Sequence, residues 1–310
     1  MNKVIVTGGT GMIGLTLIKK MLNEGITVTA VIRPDSKRRS VMPDNDLLNI
    51  VYCDINNILS LKDKLDSDYD TFFHFAWSNT YGSGRDNVDE QEKNIRATID
   101  AVSLASSCGC KTFVGAGSQA EFGHISGEIS DSVPKNPITG YGIAKYAAGK
   151  LSKMKCEQLG IRHCWGRILS AYGPYDNNYT MVMSSVINML NNERTKFTKG
   201  EQIWDYIFSE DCANAFYLIA LKGIHGKAYT IGTGQQRLLK DYIKDIRDAI
   251  NSELEIGLGE IDYFPNQVMK LVADISELNK DTGFTPEFSF EEGIKKTVEW
   301  YKNKKEQENK

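Results

Sequence analysis

No apolar run in this chain of 310 residues approaches the length that crosses a bilayer, and Met1-Asn2-Lys3 leads straight into a β-rich run with no room for a secretion signal. Both absences point to a cytoplasmic protein. Neither sign of charge dominates: 37 Lys and Arg against 40 Asp and Glu leave a net charge of −3, which supplies no pull toward nucleic acid or an anionic membrane. The six cysteines, Cys53, Cys108, Cys110, Cys156, Cys164 and Cys212, are scattered through predicted strands and helices and frame no small loops, the pattern of reduced thiols. Cys108-Gly109-Cys110 lacks the second Cys/His pair that a metal site needs, and the four histidines offer no ligand set, so no metal is expected. Internal repeats and low-complexity segments are missing too. The polar tail Lys302 to Lys310 reads as a solvated, frayed end.

What is present begins at the N-terminus. Val4-Ile5-Val6-Thr7-Gly8-Gly9-Thr10-Gly11-Met12-Ile13-Gly14 is an apolar run that turns through glycines into an amphipathic segment. It reads as strand, phosphate loop, helix. Gly8, Gly11 and Gly14 can provide a tight turn, a close backbone approach and a close helix-on-strand contact, with amides at the helix start holding a pyrophosphate. Glycines can also merely punctuate a turn, but this set follows a β-rich run and opens a helical pattern, the context a dinucleotide site requires.

The helical pattern Met12 to Asn23 carries Ile13, Leu17, Ile18 and Met21 near a 3.6-residue period and stops at Gly25. Strands follow at Thr27 to Ile32, Val51 to Cys53, Thr71 to Phe75 and Thr112 to Ala116, with a long helix from Asn94 to Ser107. Alternation of this kind makes a parallel, doubly wound α/β sheet. At this length the chain can bury on the order of three quarters of its unfolded surface, as one body with two lobes.

About twenty residues beyond the glycine loop, the end of the second strand selects the cofactor, because an acid there binds the ribose hydroxyls of NAD and an Arg accepts the 2′-phosphate of NADP. Arg33 occupies it, with Ser36, Lys37, Arg38 and Arg39 close behind. NADP(H) is therefore the first choice. NAD(H) is the second, because Asp35 could serve an NAD ribose if the register is shifted, and the same stretch could be a solvated basic loop.

The catalytic candidates are Ser118, Tyr141 and Lys145. Tyr141 and Lys145 are four apart in a helical pattern that continues to Leu159, so both emerge on one face. A free tyrosine has a pKa of about 10, and acid–base work near neutrality needs that to fall by about 3, or about 4 kcal/mol; a nearby ammonium has the right sign. Ser118, just past a strand, can orient the same substrate oxygen.

These residues together resemble the short-chain dehydrogenase/reductase superfamily, in particular its extended, nucleotide-sugar branch, over nearly the full length. The resemblance implies a Rossmann domain over residues 1–168, with 203–224 returning to it, and a smaller α+β substrate-binding lobe over 169–310. It implies that Gly8, Thr10, Gly11, Met12, Ile13 and Gly14 form the cofactor loop, that Asp54 and Ile55 meet the adenine, and that His74-Phe75-Ala76-Trp77 lines the cofactor. Tyr141 is then the acid–base, Lys145 lowers its pKa and holds the nicotinamide ribose, and Ser118 positions the reacting carbon–oxygen group. Arg167 to Pro174, Trp204 to Asp211 and Tyr229 to Gly234 are similar to the segments leading into and out of the sugar-nucleotide lobe. Ser118, Gln119, Tyr172, Asn178 and Trp204 are the substrate-contact candidates.

Departures from the family narrow the chemistry. Dehydratases of the branch carry Asp-Glu just after the Ser/Thr position, where this chain has Gln119-Ala120, with Glu121 one residue too late. Trp204 stands where epimerases often place a phosphate-binding Arg, leaving Arg194, Lys196, Lys199 or Arg237 as substitutes or as plain surface charges. Ser170 replaces a frequent Asn. Gly117 to Gly123 resembles the 4-keto-6-deoxy-sugar reductases, which makes reduction of such a nucleotide sugar the first expectation, reversible epimerisation the second with 4,6-dehydration behind it, and a cofactor-sensing binding protein the last. Ala97, Ala101, Ala105, Ala144, Ala147 and Ala148 lie on the two long helices that pair across a two-fold axis in the family, which implies a homodimer, while burial against the chain's own sheet explains part of the same stripe.

Overall fold

The computed structural model describes all residues except 126, 266, 309 and 310. Five strands, β1 (Lys3–Thr7), β2 (Thr27–Ile32), β3 (Leu48–Tyr52), β4 (Thr71–His74) and β5 (Thr112–Ser118), form most of the central sheet. Two further strands extend it beyond β5: Arg162–Ile168 and, outermost, Lys227–Ile231. All seven run parallel, with β4 at the middle of the order and β1, β2 and β3 following on its other side. Helices α1 (Met12–Asn23), α2 (Val88–Ser107) and α3 (Gly140–Leu159) make the crossovers. The sheet is doubly wound and α/β, as the alternation of periods implies.

Burial follows the same plan. Val4, Val6, Val28 and Ala30 face a core with Leu17, Ile18 and Met21 of α1, while Ile5, Phe72 and Phe113 face the other, with Ala101, Val102 and Ala105 of α2. Covered on both faces, these strands read as near-continuous apolar runs. His74 is buried between the sheet and α2, its Nδ1 3.0 Å from Thr7 Oγ1 and its Nε2 3.2 Å from Thr98 Oγ1. Burial drives its pKa down to about 3, so it is a neutral tie between β1, β4 and α2.

The remaining sheets stand outside the central one. The largest runs Arg237–Leu238, Ile203–Trp204, Lys270–Ala273, Gly127–Ile129. Its make-up cuts across the expected division, since Gly127–Ile129 and Ile203–Trp204 belong to this sheet while Lys227–Ile231 joins the large one. Tail residues also differ from expectation, since the last helix, Phe290–Glu308, continues through Lys302 to Glu308. Residues 309 and 310 of the tail lie outside the described residues.

Candidate active site

The glycine loop has the form its spacing implies. Gly8 takes φ +74°, and a Cβ on it would lie 2.7 Å from the Ala76 amide nitrogen, while a Cβ on Gly14 would collide with the Gly8 carbonyl. The chain must therefore be bare where β1 and the segment after β4 touch. Leu15 is the first amide of α1 to reach an intrahelical carbonyl, that of Gly11 at 2.9 Å. Amides of Met12, Ile13 and Gly14 are left at the positive end of the helix beside Thr10, a cradle that fits a pyrophosphate.

Other cofactor candidates surround the same edge of the sheet. Arg33 is exposed at the end of β2, its Nε 3.9 Å from Asp35, and Ser36 closes a turn onto the Arg33 carbonyl. Arg38 is turned elsewhere, donating to the Tyr175 carbonyl at 2.7 Å. Asp54 caps a short helical turn by accepting from the Asn56 amide at 2.8 Å, and the Ile55 side chain is buried in the core. Phe75 packs edge-on against Phe216, with ring centroids 4.8 Å apart. Trp77 is held by a hydrogen bond from its indole nitrogen to Gln91.

Ser118, Tyr141 and Lys145 meet at the end of β5. Gly142 is what lets α3 come so close: a Cβ there would strike the Ala120 carbonyl. The Thr139 side chain caps α3 by accepting from the Gly142 amide at 3.1 Å. The Ser118 hydroxyl accepts from the Ala120 amide at 3.2 Å and, close to Tyr141, favours the phenolate. Burial nevertheless pushes the Tyr141 phenol up to about 12. The direction is opposite to the one expected from the Tyr-Lys spacing because burial is the largest influence on the phenol, and the ammonium is engaged elsewhere. The Lys145 ammonium donates to the Ala116 carbonyl at 2.7 Å and sits 3.8 Å from the centre of the Trp77 ring, but 5.8 Å from that of Tyr141. Burial also pulls Lys145 down to about 7, against the opposing charge of Glu121.

Glu121 is turned away from the reacting groups, as its late position implies. Fully buried, it accepts from the Ser118 amide at 3.0 Å, Trp165 Nε1 at 2.9 Å and Arg167 Nε at 2.6 Å. Arg167 in turn reaches Asp131 at 2.5 Å. The Trp165 ring fills space left bare by Gly115, Gly117 and Gly149, where a Cβ would collide with it. Sequence reasoning missed this assembly, although the Gly115-Ala116-Gly117 alternation on β5 marks one face as open for a large neighbour.

A cavity of about 550 Å³ opens from Ser118, Gln119 and Tyr141 toward Tyr172, Thr180 and Trp204 of the lobe. Trp204 donates to Ser170 at 2.8 Å, so the two residues that depart from the family pattern are paired with each other. Asn178 does not line this space: it is exposed, and Asp176 and Thr180 line it instead, linked by a 2.9 Å hydrogen bond. Tyr172 offers only ring surface, because its hydroxyl donates to the Phe290 carbonyl inside the aromatic core. Arg194 is paired with Glu260, and Arg237 with Asp245 and Glu291. Lys196 and Lys199 are exposed, and none of these four cations lines the cavity.

The profile of the NAD dependent epimerase/dehydratase family matches residues 4–232. The dTDP-glucose 4,6-dehydratase of Escherichia coli is 24% identical over 98% of this chain and 94% of its own length. CDP-abequose synthase of Salmonella typhimurium (strain LT2) is 26% identical over 95% of this chain and 97% of its own. Among solved structures, UDP-glucuronic acid 4-epimerase of Bacillus cereus in complex with NAD superposes with a TM-score of 0.83 at 20% identity, covering 97% of this chain and 99% of that one.

Proposed function

Since the chain belongs to the NAD dependent epimerase/dehydratase family, we propose that it reduces the 4-keto group of a 4-keto-6-deoxy nucleotide sugar, using NADP(H). One observation carries the choice within the family. Beside Ser118 and Tyr141 stand Gln119 and Ala120, and Glu121 is locked between Trp165 and Arg167. Among the described residues the carboxylate beside Ser118 is that of Glu121, and its bonds to the Ser118 amide, Trp165 and Arg167 keep it from protonating a leaving hydroxyl or taking a proton beside the ketone, as dehydration would require. Reduction needs neither.

The Gly8–Gly14 loop would hold the pyrophosphate of a nicotinamide dinucleotide, Asp54 and Ile55 its adenine, Phe75, Ala76 and Trp77 its inner face, and Arg33 with Ser36 a 2′-phosphate. Such a cofactor supplies hydride when bound. The Ser118 hydroxyl orients the substrate carbonyl oxygen and Tyr141 protonates it as charge develops there. Lys145, four residues on along α3, favours the phenolate left behind and can take up a ribose hydroxyl. We also infer a homodimer. Ala97, Ala101, Ala105, Ala144 and Ala148 are buried within the single chain, so the pairing face would instead be the exposed row Ile143, Leu151, Met154 and Leu159 of α3.

Reversible epimerisation uses the same groups but consumes no cofactor. Adding 4-keto-6-deoxy sugars linked to CDP, dTDP, GDP and UDP to protein and NADPH is expected to oxidise NADPH in step with one of them. Conversion of any of them with no net loss of NADPH would replace reduction by epimerisation.

A further inference from the structure

Among the described residues that line the cavity, Arg85 is the one lysine or arginine. Its guanidinium carbon lies 4.5 Å from the centre of the Tyr141 ring, nearer than the Lys145 ammonium at 5.8 Å. The backbone around it is fastened from both sides. Asp86 accepts from the Gly140 amide at 2.7 Å, one residue before Tyr141 at the start of α3. Gln91, on α2, donates to the Gly84 carbonyl at 3.2 Å and to the Asn79 carbonyl at 3.1 Å. Gly140 itself packs on this segment, where a Cβ would lie 3.0 Å from the Arg85 carbonyl. The guanidinium also donates to the Thr80 carbonyl at 3.3 Å. Arg85 is thus presented to the phenol by structure, on a segment tied to the same helix end that carries Tyr141.

We propose that Arg85 is a positioning residue of the acid–base site, a fixed cation over the Tyr141 ring that favours the phenolate and holds the ring against the cavity. The proposal rests on the assignment of Tyr141 as the acid–base and adds a second cation to it. The groups that act on Tyr141 are Ser118 from the end of β5, Glu121 through its charge from the turn after it, Tyr81 and Arg85 from the segment after β4, and Lys145 from α3. Of these, Ser118 and Arg85 favour ionisation, while Glu121 and Tyr81 oppose it. Lys145, pulled down to about 7, loses charge as the solution becomes alkaline. A guanidinium is not deprotonated in proteins, so its help does not fade. A cation within about 6 Å of an aromatic face is attracted to the ring even before the phenol ionises.

The test reads Tyr141 directly and needs no substrate. A ring-fluorinated tyrosine, which ionises at lower pH than tyrosine, is incorporated at position 141 of the full chain, and its titration is followed by fluorine NMR in the wild-type background and with R85K or R85M. The midpoint is expected to move up by about one pH unit in R85M, the size of effect one nearby charge exerts, and to return most of the way in R85K. In the unlabelled enzyme kcat should fall in R85M by more than KM rises, and R85K should restore most of the loss. An unchanged midpoint in R85M, or an R85K midpoint displaced as far as that of R85M, overturns the proposal. R85Q carries the same expectation if R85M fails to fold. Should no keto sugar be turned over by the wild type, the reductase reading falls while the titration still decides the role of Arg85.

Discussion

Tyr141 and Lys145 stand four residues apart, yet they do not simply share a charge. The ammonium is committed to the Ala116 carbonyl and the Trp77 face, and burial holds the phenol at about 12. A phenol in that state is suited to giving a proton to a substrate oxygen, which is what reduction asks of it. Replacing Tyr141 with Phe removes the proton donor and leaves the ring, so turnover should fall at least about a hundredfold, while NADPH affinity measured by fluorescence titration stays within a few-fold of the wild type. Turnover preserved in Tyr141→Phe would remove Tyr141 from the reaction.

At the scale of elements, the end of β5 is held by groups that never meet the cavity's contents. Glu121 ties the Ser118 amide to Trp165 and Arg167 on Arg162–Ile168, and Arg167 carries the tie on to Asp131. Glu121→Ala would strand a buried guanidinium and free the turn that presents Ser118. It should cost about 3 kcal/mol or more in urea-denaturation stability, and a loss well under 1 kcal/mol would show that the network is not what fixes the turn. The parts of the site legible in the sequence were those with a fixed local spacing. The glycine loop, the helical Tyr141 and Lys145, and the late position of Glu121 each follow from chain geometry within a few residues. Arg85 comes to Tyr141 across 56 residues of sequence, and Trp165 and Arg167 come to Ser118 across 47 and 49. No local period reports such meetings, and for Trp165 only the small residues opposite it gave a sign. Asn178 failed for a related reason: the hydrogen bond from Thr180 to Asp176 shapes the turn before the helix Met181–Leu190, and Asn178 is left exposed outside it.

Over the whole molecule, the large sheet was legible because its two covered faces write near-continuous apolar runs between helical stripes. Division into lobes was less so, since Gly127–Ile129 and Ile203–Trp204 are too short to carry a period and are drawn into the second sheet by pairing with Lys270–Ala273. The alanine stripes of α2 and α3 turned out to serve packing inside one chain. Pairing of two chains would instead bury Ile143, Leu151, Met154 and Leu159, and the double substitution Leu151→Glu with Met154→Glu should convert a dimer to a monomer in analytical ultracentrifugation. An unchanged sedimentation coefficient would place the interface elsewhere.

The central claim is a hydride delivered to a keto carbon of a nucleotide sugar, and isotope transfer tests it most directly. NADPH carrying deuterium at the transferable position of its nicotinamide is incubated with the protein and the 4-keto-6-deoxy nucleotide sugar it consumes, and the product is analysed by NMR. The account predicts deuterium on the former carbonyl carbon and one oxidised cofactor for each product. Product formed without deuterium, or without loss of NADPH, would contradict it.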